Sequence, residues 1–134
     1  MRTHYLLFVL TVLFFAFVFN SCKEKDNPKA VIKVVETIDG AITPVYGALV
    51  EVGPSTKKNI LDNVHRNGFT NSSGIIEFEF ESKLVLTANA SKIKRDVNGN
   101  IIYKKNGKYT IEKTNSKMIT LDYDYTDSKT IIVE

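Results

Sequence analysis

From Ala30 to the last residue, no run of eleven or more residues repeats its apolar positions with a helical period of 3.6. Apolar side chains instead recur every second residue in short runs. The clearest run is Ile76-Glu77-Phe78-Glu79-Phe80-Glu81, in which three apolar residues alternate with three glutamates. A period of two puts one set on each face of an extended strand. The phenylalanines are therefore expected in a core and the glutamates in water. Val31 to Ile38, Val45 to Val52, Leu84-Leu86-Ala88, Met118 to Asp124 and Thr130 to Val133 are further strand candidates. Asp39-Gly40, Gly53-Pro54 and Asn71-Ser72-Ser73-Gly74 read as turns between them. In the second candidate, Tyr46, Ala48, Val50 and Val52 fall on one face, with Ala48 and Val50 as core. Residues 53–66 form a long polar loop that Ile60, Leu61 and Val64 could pin to the body.

Two Asn-Gly pairs, Asn98-Gly99 and Asn106-Gly107, predict hairpins. A two-residue loop at the second would set Lys105 opposite Lys108, Lys104 opposite Tyr109, Tyr103 opposite Thr110 and Ile102 opposite Ile111. Ile102, Tyr109 and Ile111 would then share an inner face. The fold expected is all-β: a seven- to eight-stranded Greek-key sandwich, immunoglobulin-like or transthyretin-like, following an N-terminal signal helix.

That signal occupies residues 1–21. Arg2 and His4 precede Tyr5 to Phe19, fifteen residues in which Thr11 alone is not hydrophobic. As a helix this segment would reach roughly 22 Å, short of the roughly 30 Å of a bilayer core, so export fits it better than a permanent span. Phe19-Asn20-Ser21 lacks the small residues of an ordinary cleavage site, and the chain's only cysteine follows directly. Ser21-Cys22 resembles a bacterial lipobox. Phe19 stands where Leu is usual, a looser pattern similar to that of Bacteroidetes lipoproteins. The resemblance implies that the Cys22 thiol takes up a diacylglycerol as a thioether and becomes the first mature residue. Two or three acyl chains would make attachment effectively permanent.

Residues 22–29 read as a lipidated tether, polar and containing Pro28. Lys23 followed by Glu24 and Asp26 resembles the export signals of surface-exposed Bacteroidetes lipoproteins. The expected location is the outer membrane, with the cell surface favoured over the periplasmic face. Residues 30–134 form one β-sandwich domain. With one cysteine, no intrachain disulfide can brace it.

Pro44-Val45-Tyr46-Gly47-Ala48-Leu49-Val50-Glu51-Val52, Thr70-Asn71-Ser72-Ser73-Gly74 and the alternating run from Ile76 resemble the carboxypeptidase regulatory-like domains of transthyretin-like topology, over roughly residues 30–92. The resemblance implies a seven-stranded Greek-key sandwich, usually noncatalytic, attached to enzymes, surface proteins or outer-membrane receptors. Gly47 would allow close packing or a bulge, and Gly74 would take the positive φ of its turn.

Catalytic and metal chemistry find little support in the sequence. Transthyretin-like hydrolases of a purine-degradation intermediate resemble one another in His and Arg positions and a tyrosine-containing C-terminal tetrapeptide, whereas this chain ends Ile131-Ile132-Val133-Glu134. Asp62, His65 and Ser72 or Ser73 have no strained elbow around them to make a triad. Asp96-Val97-Asn98-Gly99-Asn100 looks like the start of a calcium loop but lacks the later bidentate acid. Asp122, Asp124 and Asp127 read as a solvated strand face, and Lys33 has no late-strand Asn with which to form an isopeptide. Tyr103, Tyr123 and Tyr125 could stack on sugars but are ordinary strand residues. No catalytic residue, metal ligand or cofactor is assigned.

Charge is the remaining signal. Between Ser91 and Lys117 lie eight basic and two acidic residues, a net +6 in a chain of +3 overall. Lys104, Lys105 and Lys108 at its tip are the candidate polyanion-binding residues. The expected protein is a lipid-anchored, noncatalytic binding or assembly module of the cell envelope. Its expected partners are the membrane through its lipid and an envelope protein or anionic surface polymer, with nucleic acid excluded by export. The alternative is a small envelope hydrolase with an unrecognised site.

Overall fold

The computed structural model describes residues 25–54 and 64–134. The expected signal segment, Cys22 and residues 55–63 of the expected polar loop, with Ile60, Leu61 and Asp62 among them, lie outside the described residues. Eight strands are present and no α-helix among the described residues: β1 (Lys29–Ile38), β2 (Ala41–Pro44), β3 (Leu49–Gly53), β4 (Arg66–Phe69), β5 (Ile75–Glu79), β6 (Leu84–Ile93), β7 (Ile111–Leu121) and β8 (Thr126–Ile132). They form two four-stranded sheets. One has the antiparallel order β4-β3-β6-β7. In the other, β1 is central: β5 and then β2 pair antiparallel along one edge and β8 pairs parallel along the opposite edge. β3, β4 and β5 follow one another and β6 returns beside β3, the Greek-key arrangement of a sandwich.

The core lies between the sheets and is aliphatic, as the period of two requires. Ala30, Ile32 and Val34 of β1 and Ile131 of β8 face Val50 and Val52 of β3, Leu86, Ala88 and Ala90 of β6, and Ile119 and Leu121 of β7. Phe78 and Phe80 are buried in the same cluster, with Ile76 partly buried against it.

The expected second strand, Val45 to Val52, is only half a strand: β3 begins at Leu49, and Val45 to Ala48 are the turn that follows β2. Pro44-Val45-Tyr46-Gly47-Ala48 looks like a continuing apolar strand, but Gly47 takes φ +64 and turns the chain from β2 in one sheet to β3 in the other. Tyr46 leaves the inner face and is 68% exposed, whereas Ala48 and Val50 are wholly buried. Thr70 fastens this turn. Its buried hydroxyl donates to the Val45 carbonyl at 2.6 Å and accepts from the Ala48 N–H at 2.9 Å. The Gly47 N–H donates to the Thr70 carbonyl, and the Thr70 N–H to that of Ala48. Gly74 closes the arrangement at φ +72, where an added Cβ would lie 2.5 Å from the Val34 carbonyl oxygen and 3.0 Å from Pro44. The two separated motifs are thus one structural knot at the crossing between the sheets.

Three turns share one geometry. Gly74, Gly99 and Gly107 each donate their N–H to the carbonyl three residues earlier (Asn71, Asp96 and Lys104) and each has positive φ. This is a type I turn followed by a left-handed residue, which gives a three-residue loop. Asn71 and Asp96 both add side-chain oxygens that accept two backbone N–H groups across the loop. The hairpin register therefore differs by one residue from the two-residue expectation. Tyr103 pairs with Tyr109, Lys104 lies opposite Lys108, and Lys105 sits in the loop. The expected inner face of Ile102, Tyr109 and Ile111 does not form: Ile111 is exposed and the other two are only half-buried. Among the described residues, none of residues 94–110 is buried.

Candidate functional site

The strands give the domain two poles. The chain enters at one of them, where Asp26 donates its N–H to Asp124, Asn27 bonds Glu79, and the Phe80 N–H donates to the Pro28 carbonyl. Lys25 and Lys83 lie over the Tyr123 ring, and Lys83 pairs with Asp122, whose carboxyl this contact holds below the usual carboxylate range. From here β1 and β6 both run toward the other pole, β6 covering roughly 30 Å over its ten residues.

At the far pole Glu36 of β1 is 7% exposed and takes two hydrogen bonds from the Lys92 ammonium, at 3.0 and 2.8 Å. Lys113 approaches the same carboxylate at 3.6 Å, and Glu112 reaches Lys92 at 3.9 Å. This buried carboxylate ties one sheet to the other where the core ends. A buried charge persists only when paired in this way.

Beyond it, residues 94–110 continue from β6 and β7 as an arm of two small hairpins. Arg95 donates to the Gly99 carbonyl at 3.0 Å, and its guanidinium lies against Gly47, occupying the place a Cβ there would take. The arm is thereby seated on the turn that Thr70 fastens. Phe69, at the end of β4, meets Tyr109 edge-to-face at 5.9 Å, and Tyr109 meets Tyr103 at 5.5 Å. Phe69 is 44% and Tyr103 57% exposed. Lys104, Lys105 and Lys108 are all exposed and, among the described residues, make no ion pair. Adjacent pairs of a hairpin project to opposite faces, so Tyr103 and Tyr109 occupy one face of the ribbon and Lys104 and Lys108 the other. Of the tyrosines singled out in the sequence, only Tyr103 joins this cluster. Tyr109 was expected on a buried inner face with Ile102 and Ile111, and Phe69 stands in a short run without alternation, so neither read as a site residue.

The other candidates are scattered or structural. His65 is exposed and lines a cavity of about 200 Å³ with Glu51, Gly53, Pro54 and Asn89. The length of β4 separates it from Ser72 and Ser73, which are turn residues. Asp122 serves Lys83, Asp124 receives the Asp26 N–H, and buried Asp127 accepts from the Thr120 N–H and pairs with Lys129, whose ammonium pKa it raises. Asp96 spends its oxygens on its own loop: bonds from the Asn100 side chain and then from backbone N–H groups hold its pKa below the usual range. Lys33 is exposed. No group of three or more His, Cys, Asp or Glu residues that could hold a metal ion occurs among the described residues.

No family model matches the chain, and no curated protein matches it. Among solved structures it is similar to a Pseudomonas aeruginosa protein provisionally described as carbohydrate binding, with a TM-score of 0.52 and 14% identity. The likeness covers 86% of this chain and 92% of that one. At that identity the two share a fold.

Proposed function

We propose that this chain is a lipid-anchored, noncatalytic binding module of the bacterial cell envelope, of the carboxypeptidase regulatory-like kind. Cys22 carries the lipid, the outer membrane holds it, and the domain stands at the cell surface. The observation that carries this reading is the separation of the two poles. The chain enters the body at residues 25–28, three residues beyond Cys22, while the basic and aromatic arm projects from the opposite end. Anchored in this way, the domain presents the arm away from its own membrane, toward an anionic surface polymer or an envelope protein. The likeness to a protein described as carbohydrate binding supports the polymer.

Replacing Cys22 by Ser should release the protein from the membrane fraction, and mass spectrometry of the wild type should find acylated Cys22 at the N-terminus. A processed Cys22→Ser protein that stays in the membrane would overturn the anchor. The hydrolase alternative rests on the His65 cavity. It gains ground only if full-length protein turns over an ester or amide substrate and His65→Ala abolishes the turnover.

A further inference from the structure

The aromatic cluster and the lysines sit on opposite faces of one ribbon, and this division suggests two separate jobs. We propose that Phe69, Tyr109 and Tyr103 form a stacking platform for sugar rings of an acidic polysaccharide, while Lys104, Lys108 and Arg95 supply the field that draws the polymer in. The inference rests on the envelope-module reading and assigns it a site and a ligand class. The platform is built from the body as well as the arm. Tyr109 is half-buried between two rings that leave about half of their surface to solvent, Phe69 at 44% and Tyr103 at 57%. Edge-to-face and tilted packing at 5.9 and 5.5 Å fixes the rings relative to one another. Arg95, seated on Gly47, fixes the arm against the strand end that carries Phe69. A preorganised apolar surface of this kind loses little freedom when the C–H face of a sugar ring covers it.

The size of the site favours a glycan over a protein. Three rings cover one or two sugar units, whereas a stable protein partner needs on the order of 1,000 Å² of contact. Charge favours an acidic glycan. The arm and its flanks are strongly basic, and Lys104 faces Lys108 across the hairpin with no acid between them. These lysines point away from the ring face, so their attraction acts through the field and is screened over about 8 to 10 Å at 0.1 to 0.15 M salt. Recognition of the ring belongs to the platform. Attraction belongs to the lysines.

The experiment uses the full chain purified in detergent, with polygalacturonate, polyaspartate and neutral dextran as probes at low salt. Polygalacturonate should bind roughly tenfold or more tighter than polyaspartate, the difference expected of about 1.4 kcal/mol of stacking. Tyr103→Ala should erase that margin and leave polyaspartate binding unchanged. Lys104→Gln with Lys108→Gln should weaken both polyanions equally and flatten their salt dependence. Because Tyr103 is at the exposed end of the arm, its variant should keep the wild-type melting temperature; Phe69→Ala serves as a second probe of the platform. Equal affinity for polygalacturonate and polyaspartate would make the patch a site for acidic protein faces and overturn the glycan assignment. An unchanged preference in both ring variants would overturn the platform, and dextran binding as tightly as polygalacturonate would overturn the role of charge. Binding to none of the three sinks this inference alone, because the envelope reading is tested separately by the fate of Cys22→Ser.

Discussion

Residues 84–93 and 94–110 are successive stretches of one connected piece of chain, yet they obey different rules. In the first, Leu86, Ala88 and Ala90 alternate inward against the opposite sheet and are buried. In the second no residue is buried, Val97 is fully exposed, and Lys94, Lys104, Lys105 and Lys108 outnumber its three aliphatics. The change occurs at Ile93, where the β6–β7 register shifts, just past the Glu36–Lys92 contact that closes the core. The difference teaches that strand pairing alone does not make a core. A ribbon needs a second layer to bury one of its faces, and without one its stability is local.

Substitutions should separate the two regions by size of effect. Phe78→Ala in the sandwich should cost roughly 3 to 5 kcal/mol and melt the whole domain early, as read by thermal denaturation. An indifferent Phe78→Ala would erase the distinction. Gly74→Ala should follow, at about 1 to 3 kcal/mol, because its left-handed φ and the nearby Val34 carbonyl both oppose a Cβ. Gly107→Ala has the same kind of φ but nothing within 4 Å of the new methyl. Its strain of about 1 kcal/mol should appear only as faster amide exchange in residues 103–109, leaving the global melting temperature in place. Loss of the global transition in that variant would mean that the arm and the body fold as one unit.

The smallest effect expected is one of pH. Asp96 has its pKa lowered in the folded state, so its contribution is present above the unfolded carboxylate range and is lost as pH falls through the folded value. Acidification below the ordinary carboxylate range should therefore loosen the Asp96–Asn100 loop, seen as amide exchange there, and Asp96→Asn should blunt the change.

The body was legible in the sequence wherever the period of two was clean. Ile76, Phe78 and Phe80 go inward, Ala48 and Val50 are core, and Gly74 takes its positive φ. Legibility failed where two structures share one local pattern. The run from Pro44 to Ala48 is apolar enough for a strand, and only Gly47 hints at the crossover that Thr70, more than twenty residues away, makes stable. Asn106-Gly107 suits a two-residue loop equally well, but the repeated spacing in Asn71 to Gly74, Asp96 to Gly99 and Lys104 to Gly107 marks the three-residue form. The lysines of the candidate site could be read from charge. Its rings could not, because Phe69 and Tyr109 meet only after β4 and the arm are brought together across forty positions.

The parallel pairing of β1 with β8 matters most when the molecule is pulled. Lys29 to Lys33, the first residues of the folded body, are gripped along both edges, by β5 on one side and β8 on the other. A load applied between the entering chain and the far pole runs along these strands, at right angles to or aslant their ladder bonds. Such a load shears several bonds together instead of opening them one by one. The entry point of the chain is thus built as a grip rather than a zipper, suited to a domain loaded between its entering chain and its far pole.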